Sequence, residues 1–284
     1  FKQKTAYEIG VRLVGSEMCI RDRYSNNMKL GVLVKQVPGS ESALRIASGN
    51  TWIEDAAAIF EMNESDNYAL EEALQIKESL GNDSEVVIVS MGPERVQKVI
   101  REALSKGADR GIHINEIPEI KSDPFATAQV FANVIKDENF DLIFSGLQSD
   151  DVGSGQTGVI LGEMLGMATA TLVMATEIQE GSIKVKRELE SGWFQWVSMS
   201  TPASITIQSG INQPRYPSLK GIMGAKKKEL KVVDQSTIAA PEKEQYFTNI
   251  YLPTADKKTE MIEGNIDQMV SRLVDVLKTE IKVL

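Results

Sequence analysis

Short, nearly unbroken runs of branched aliphatic residues alternate along the chain with segments of helical periodicity, and this alternation restricts the fold more than any other feature. "KLGVLV" (29–34), "EVVIVSMG" (85–92), "RGIHIN" (110–115) and "DLIFSG" (141–146) each read as a strand. Their apolar residues are nearly continuous, as in strands buried on both faces of a parallel sheet. Between them, "SDNYALEEALQIKESLG" (65–81) has helical spacing and stops at Gly81. "PERVQKVIREALSKG" (93–107) opens with proline at the first helical position and closes at glycine, the usual start and stop signals. "DPFATAQVFANVIKD" (123–137) reads as a further helix. The expected fold is α/β, with a doubly wound, mostly parallel sheet.

Beyond about residue 170 the pattern changes. "TATLVMATEIQEGSIKVKRELESGWFQWVSMSTPASITIQ" holds short β-like runs broken at "EGS" and "ESG", which predicts antiparallel strands added to the sheet. Trp193 and Trp196 are expected to pack against it. From Lys231 the chain turns polar and irregular through "DQSTIAAPEKEQYF" and finishes with "IDQMVSRLVDVLKTEI". There Ile266, Met269, Val270, Leu273 and Leu277 fall near one face of an amphipathic helix. The expected organisation is a leader over 1–27, an α/β domain over 28–228, and a C-terminal arm and helix over 229–284. The arm rests either on its own domain or on another subunit.

The leader, "FKQKTAYEIGVRLVGSEMCIRDRYSNN", has no apolar stretch long enough for the middle of a secretory signal. It resembles a translated sequencing adapter, with Met28 as the initiator. A mitochondrial presequence is the competing reading, for which Arg12, Arg21 and Arg23 speak and against which Glu8, Glu17 and Asp22 count. Without the leader, 26 Lys and Arg face 37 Asp and Glu, a net charge of −11, and the single cysteine, Cys19, is gone. A cysteine-free remainder forms no disulfide and offers no thiolate for catalysis or zinc. The acidic balance argues against a nucleic-acid partner. No apolar run approaches the roughly eighteen residues needed to cross a bilayer, so no membrane insertion is expected.

In open parallel sheets, ligands bind beyond the carboxyl ends of the strands. The stretch "FSGLQSDDVGSGQTG" (144–158) leaves such an end and enters a helix at Gln156-Thr157, where unpaired backbone NH groups and the positive end of the helix dipole suit an anion. It matches neither the phosphate loop ending in Gly-Lys-Ser/Thr nor Gly-x-Gly-x-x-Gly. Asp150 and Asp151 would repel a bare phosphate, whereas a carboxylate accepts hydrogen bonds from a ribose hydroxyl or from helix NH groups. That favours a nucleotide over an inorganic anion; a solvated turn with Asp as helix cap is the alternative. His113, the only histidine, lies within an apolar strand and reads as a packed core residue. Lys226, Lys227 and Lys228 read as a solvated face, with a docking patch as the alternative.

The segment from Val185 onward, with "VKRE", "INQPRYPSL" and "IMGAKKK", resembles the signature region of electron transfer flavoprotein β subunits, and the similarity runs back through "REALSKGADRGIH" and "LEEALQIKE" to "VLVKQVP". The resemblance implies a flavodoxin- or Rossmann-like nucleotide-binding domain in a heterodimer. The α subunit carries most of an FAD, and the β subunit buries an AMP of structural role. It implies that Gly146 to Thr157 wraps the phosphate and ribose, through Gly146, Gln148, Asp151, Ser154 and Gly155 in the loop and Gln156 and Thr157 at the helix start. Leu33, Asn63, Ser65, Asp66 and Met91 align with the remaining adenosine contacts. Animal members have Asn where this chain has Gly155, Phe where it has Ser65, and a flavin-facing aromatic near Ser40.

"PRYPSLKGIM" aligns with the family's recognition loop (214–224), in which a leucine, here Leu219, enters an apolar pocket on acyl-CoA dehydrogenases. Arg215, Tyr216, Ile222 and Met223 flank it, and ordinary packing of Leu219 against Ile222 and Met223 is the alternative. The implied role is an electron carrier rather than an enzyme, passing electrons from dehydrogenases of fatty acid oxidation to a membrane quinone oxidoreductase. Its compartment is the cytoplasm of a bacterium or the mitochondrial matrix of a eukaryote. Bifurcating relatives, whose β subunit holds a second FAD and oxidises NADH, tend to show a Gly-Asp-Thr-Ala-Gln-Val-Gly-Pro-like loop; this chain has "GSGQTGV" without the proline. A stand-alone nucleotide-binding sensor domain is the rival of another class.

Overall fold

The computed structural model describes residues 27–81, 83–115, 123–253 and 259–284, so residues 1–26 of the leader lie outside the described residues. The chain divides into one unit ending at Thr248 and another over Asn249–Leu284.

The first unit is organised by a nine-stranded sheet. Its strands are β1 (Lys29–Leu33), β4 (Glu85–Gly92), β5 (Arg110–Asn115), β6 (Leu142–Gly146), β7 (Ala168–Gln179), β8 (Ser182–Glu188), β9 (Phe194–Ser200), β10 (Ala203–Ile207) and β11 (Leu230–Val233). They lie in the order β11-β5-β4-β1-β6-β10-β7-β8-β9. Pairing is parallel from β11 to β7 and antiparallel through β7, β8 and β9. A separate hairpin joins β2 (Gln36–Pro38) to β3 (Phe60–Met62).

The aliphatic runs form these strands because both faces of the sheet are covered. Val86 and Ile88 face one apolar layer with Leu70 and Ile100, whereas Val87 and Val89 face the other with Phe131 and Leu161. Neighbouring residues of β4 thus point to opposite layers, as the two-residue period of a strand requires. The first layer is covered by α1 (Glu64–Leu80) and α2 (Gln97–Lys106), the second by α3 (Pro124–Ile135) and α4 (Thr157–Met164). This is the doubly wound arrangement expected. From β1 the chain builds β4 and β5 to one side, then crosses to β6 on the other. The carboxyl ends of β1 and β6 therefore flank the crevice where such sheets hold ligands.

Four features differ from the sequence reading. β10 pairs parallel with β6 and β7 inside the sheet instead of joining the antiparallel set. β11 lies beyond the expected domain end at residue 228 and extends the sheet beside β5. Pro93 stands ahead of a 3-10 turn (Glu94–Val96), and α2 begins at Gln97. Trp193 and Trp196 are 73% and 44% exposed rather than packed; Trp196 instead carries the Lys184 ammonium 4.6 Å from its ring centre.

His113 is buried, its Nε2 lying 2.9 Å from the Gly92 carbonyl oxygen. Within the second unit, α6 (Ile266–Thr279) starts with an Asn265–Gln268 capping box, and its Ile266, Val270 and Leu273 are exposed.

Candidate functional site

A cavity of about 200 Å³ opens at the carboxyl ends of β1, β4 and β6. A single water needs roughly 10–15 Å³ by the same measure, so this space takes a molecule rather than an ion. Leu33 and Met91 contribute apolar wall from β1 and β4, and Asn63 and Asp66 line it from the start of α1. Gly146, Gln148, Asp151, Ser154, Gly155, Gln156 and Thr157 form the opposite wall. Eleven of the twelve residues expected to hold a nucleotide thus share one cavity. Ser65 is not part of its lining; it is buried behind the loop. Ser40 is exposed and also absent from the lining.

The loop is held from behind by α1. Asn63 Nδ2 and Ser65 Oγ both donate to the Gln148 carbonyl, at 2.9 and 2.7 Å, while Asn63 Oδ1 accepts from Asp150 N at 2.9 Å. Asp150 returns a bond by accepting from Glu64 N at 3.1 Å. It therefore caps the first turn of α1, in another part of the sequence, rather than its own following helix. The Asp66 carboxylate spans the crevice, accepting from Lys35 N at 2.7 Å and from Gly146 N at 2.8 Å. Burial pushes its pKa up to about 6, against the lowering effect of those two NH groups. A methyl at Gly146 would run into Ser65 Oγ and lie 2.5 Å from Asp66 Oδ1, so only glycine lets β6 and α1 approach this closely.

Gly153 and Gly155 adopt φ of 69° and 63°. This left-handed region suits glycine and, among other residues, asparagine best. Gln156 is the N-cap of α4 and makes no side-chain capping bond to its first NH groups, and Gln156, Thr157 and Gly158 line the cavity.

Charged groups in the wall are largely paired. Lys35 Nζ donates to Asp151 Oδ1 at 2.6 Å and to Ser149 Oγ at 3.2 Å. Arg95 stacks 3.8 Å above the Phe60 ring centre and donates to Gln36 Oε1 and Asp55 Oδ2, both at 2.9 Å. Asp123 caps α3 through Oδ1, while its Oδ2 accepts from Glu244 N at 2.6 Å and Gln245 N at 2.9 Å. Trp52, also in the wall, stacks on Phe247 with ring centres 5.9 Å apart. The last residues of the first unit are thus tied to the cavity's own lining. Lys35 falls in one of the loops that follow a strand end, whereas Trp52, Arg95 and Asp123 carry no such signal, since Phe247, Asp55 and the Glu244 and Gln245 amides that meet them lie far away in the chain.

A second surface is built around α5 (Leu219–Ala225), capped by Ser218. Tyr216 is 94% exposed and Leu219 81%. Ile222 and Met223 are also exposed, so Leu219 stands in solvent rather than in a local cluster. Arg215 differs: its guanidinium pairs with Glu71 (2.8 Å) and with Glu78 on α1, so it fixes the segment to the domain. Lys228 is not simply solvated, because its Nζ donates to the Leu104 and Ala108 carbonyls.

The family model of the electron transfer flavoprotein domain matches residues 51–238. The electron transfer flavoprotein subunit beta of Methylophilus methylotrophus is 35% identical, over 88% of this chain and 98% of its own length. Those of Bacillus subtilis (34%, 90% and 100%) and Syntrophomonas wolfei (36%, 90% and 98%) match equally broadly. A cavity at the β1/β6 crevice, a glycine loop tied to α1, and similarity over nearly the full length of these relatives agree, and the chain belongs to the electron transfer flavoprotein family.

Proposed function

We propose that this chain is the β subunit of a heterodimeric electron transfer flavoprotein. It accepts electrons from acyl-CoA and related dehydrogenases and delivers them to a membrane quinone oxidoreductase, acting as a carrier in the cytoplasm. The observation that carries this reading is the cavity at the β1/β6 crevice in a chain similar to such subunits over about nine-tenths of its length. The residues present fit an AMP there. Leu33 and Met91 offer apolar contact for a base, Gly146 to Gly158 a close-approach backbone for ribose and phosphate, and the α4 N-terminus unpaired NH groups for the anion. With the loop hung on α1, bound nucleotide would tie β1, β6 and α1 together, which is a structural role.

The flavin, held mostly by the α subunit, supplies the uptake and release of electrons. This chain contributes burial and docking. The α5 surface supports the docking role, since an exposed leucine beside tyrosine and methionine makes a small anchor for a transient contact. α6, with exposed apolar residues, suits the companion subunit. Co-expression with an electron transfer flavoprotein α subunit tests the assignment. The expected result is a stable 1:1 complex whose flavin is bleached by acyl-CoA and its dehydrogenase. A chain that stays monomeric beside the α subunit, or a complex whose flavin no dehydrogenase reduces, would overturn it.

A further inference from the structure

The exposed apolar residues of α5 belong to a segment that is fastened on two sides. On the α1 side, the Arg215 guanidinium donates through Nε to Glu71 Oε2 at 2.8 Å and through Nη2 to Glu71 Oε1 at 2.9 Å, a bidentate fork. Its Nη1 donates to Glu78 Oε1, and Nη2 also reaches Glu78 Oε2 at 3.1 Å. The Arg215 backbone NH donates to Glu71 Oε2 as well, at 3.2 Å. Shortly before it, Asn212 Nδ2 donates to the Tyr68 carbonyl and to Glu72 Oε2. Glu71 is buried. Burial pushes its pKa up, yet the Arg215 guanidinium outweighs this and holds the carboxyl below its ordinary range.

On the α2 side, Arg101 Nη1 donates to the Ala225 and Lys228 carbonyls at 2.6 and 2.8 Å, where α5 ends. A methyl at Gly221 would run into the Ser105 carbonyl, so α5 lies directly against the end of α2. Tyr216, Leu219, Ile222 and Met223 remain exposed between these fastenings. A helix of seven residues does not hold its shape by itself, since isolated helices shorter than about 12 residues are marginal in water. Its geometry therefore depends on what it is fastened to.

We infer that Arg215 is a positioning residue for docking: by clamping its segment to Glu71 and Glu78 of α1, it sets Leu219 in the docking conformation before a dehydrogenase arrives. The inference rests on the docking reading above and deepens it. Arg215 acts through Leu219 rather than on the partner, because Nε, Nη1 and Nη2 are all turned to carboxylates of α1. A surface ordered in advance loses less conformational freedom on association. Removing the clamp therefore raises the concentration needed to dock and leaves electron transfer within the docked complex unchanged.

The test follows reduction of the heterodimer's flavin by an acyl-CoA dehydrogenase and its acyl-CoA, as a function of heterodimer concentration. Arg215→Gln should raise KM for the heterodimer about tenfold while kcat and flavin content stay within about twofold of wild type. Arg215→Lys, whose point charge cannot bridge both carboxylates, should fall between the two. Glu78→Gln removes the exposed half of the clamp without stranding a buried charge. It should raise KM about threefold, and it serves as the readout if Arg215→Gln does not fold. The double variant should be no worse than Arg215→Gln alone, since both changes break one contact. A wild-type KM in these variants beside a raised KM in Leu219→Asp would overturn the clamp. A raised KM in Arg215→Gln with wild-type behaviour in Glu78→Gln would make Arg215 a direct partner contact and overturn it too. If Leu219→Asp also keeps the wild-type KM, the docking reading itself fails.

Discussion

Replacing Asp66 by asparagine changes how stability responds to pH, and the size of the change follows from the geometry. The carboxylate is buried at the β1/β6 crevice, and its pKa rises to about 6 from the ordinary 3.8. Between those values the folded chain holds a proton that the unfolded chain has lost. Stability therefore falls as pH rises through this window, and the cost is absent below about pH 4. A gap of about two units corresponds to about 3 kcal/mol at 1.36 kcal/mol per unit. Asp66→Asn has no proton to lose. It also turns one acceptor toward a backbone NH into a donor, a fixed cost of about 1–3 kcal/mol. Urea unfolding of both forms at intervals from pH 4 to 7 separates the two effects. The fixed cost offsets the curves, while the titration makes the variant gain on the wild type by about 3 kcal/mol as pH rises. A difference that stays level across the range would refute the reasoning.

Gly146→Ala forces a methyl against Ser65 and Asp66 and should cost about 1–3 kcal/mol, read as a lower urea midpoint with unchanged slope. Asp123→Ala removes the acceptor shared by the α3 start and by Glu244 and Gln245, so the amides of 244 and 245 should exchange faster while those of the β1 and β6 core keep their protection. Leu219→Asp, at an 81% exposed position, should leave the unfolding free energy within about 0.5 kcal/mol of wild type yet sharply slow reduction by a dehydrogenase. Loss of stability with unchanged reduction would refute the docking role.

Much of the architecture is readable from composition, because β1, β4, β5 and β6 are buried on both faces and their sequences say so. Direction is less legible. "ASITI" in β10 has the same aliphatic character as the hairpin strands before it, and nothing in five residues distinguishes a parallel from an antiparallel neighbour. β11, "LKVV", is a half-exposed edge strand beginning at the polar stretch, so its burial signal is weak.

At the site, glycine spacing points to the loop because left-handed turns and close approach demand glycine locally. The charge pairs are invisible for the opposite reason: Lys35 meets Asp151 across 116 positions and Arg215 meets Glu71 across 144. Asn63, Ser65 and Asp66 illustrate an intermediate case. The resemblance marks them as nucleotide contacts, and the fold uses their side chains to position the loop.

We propose that AMP occupies this cavity while the flavin belongs to the companion subunit. The most direct measurement is the nucleotide content of the purified heterodimer, released by denaturation and quantified. The expected result is AMP and FAD in equal amounts, one of each per complex. Two FAD per complex with no AMP would contradict it.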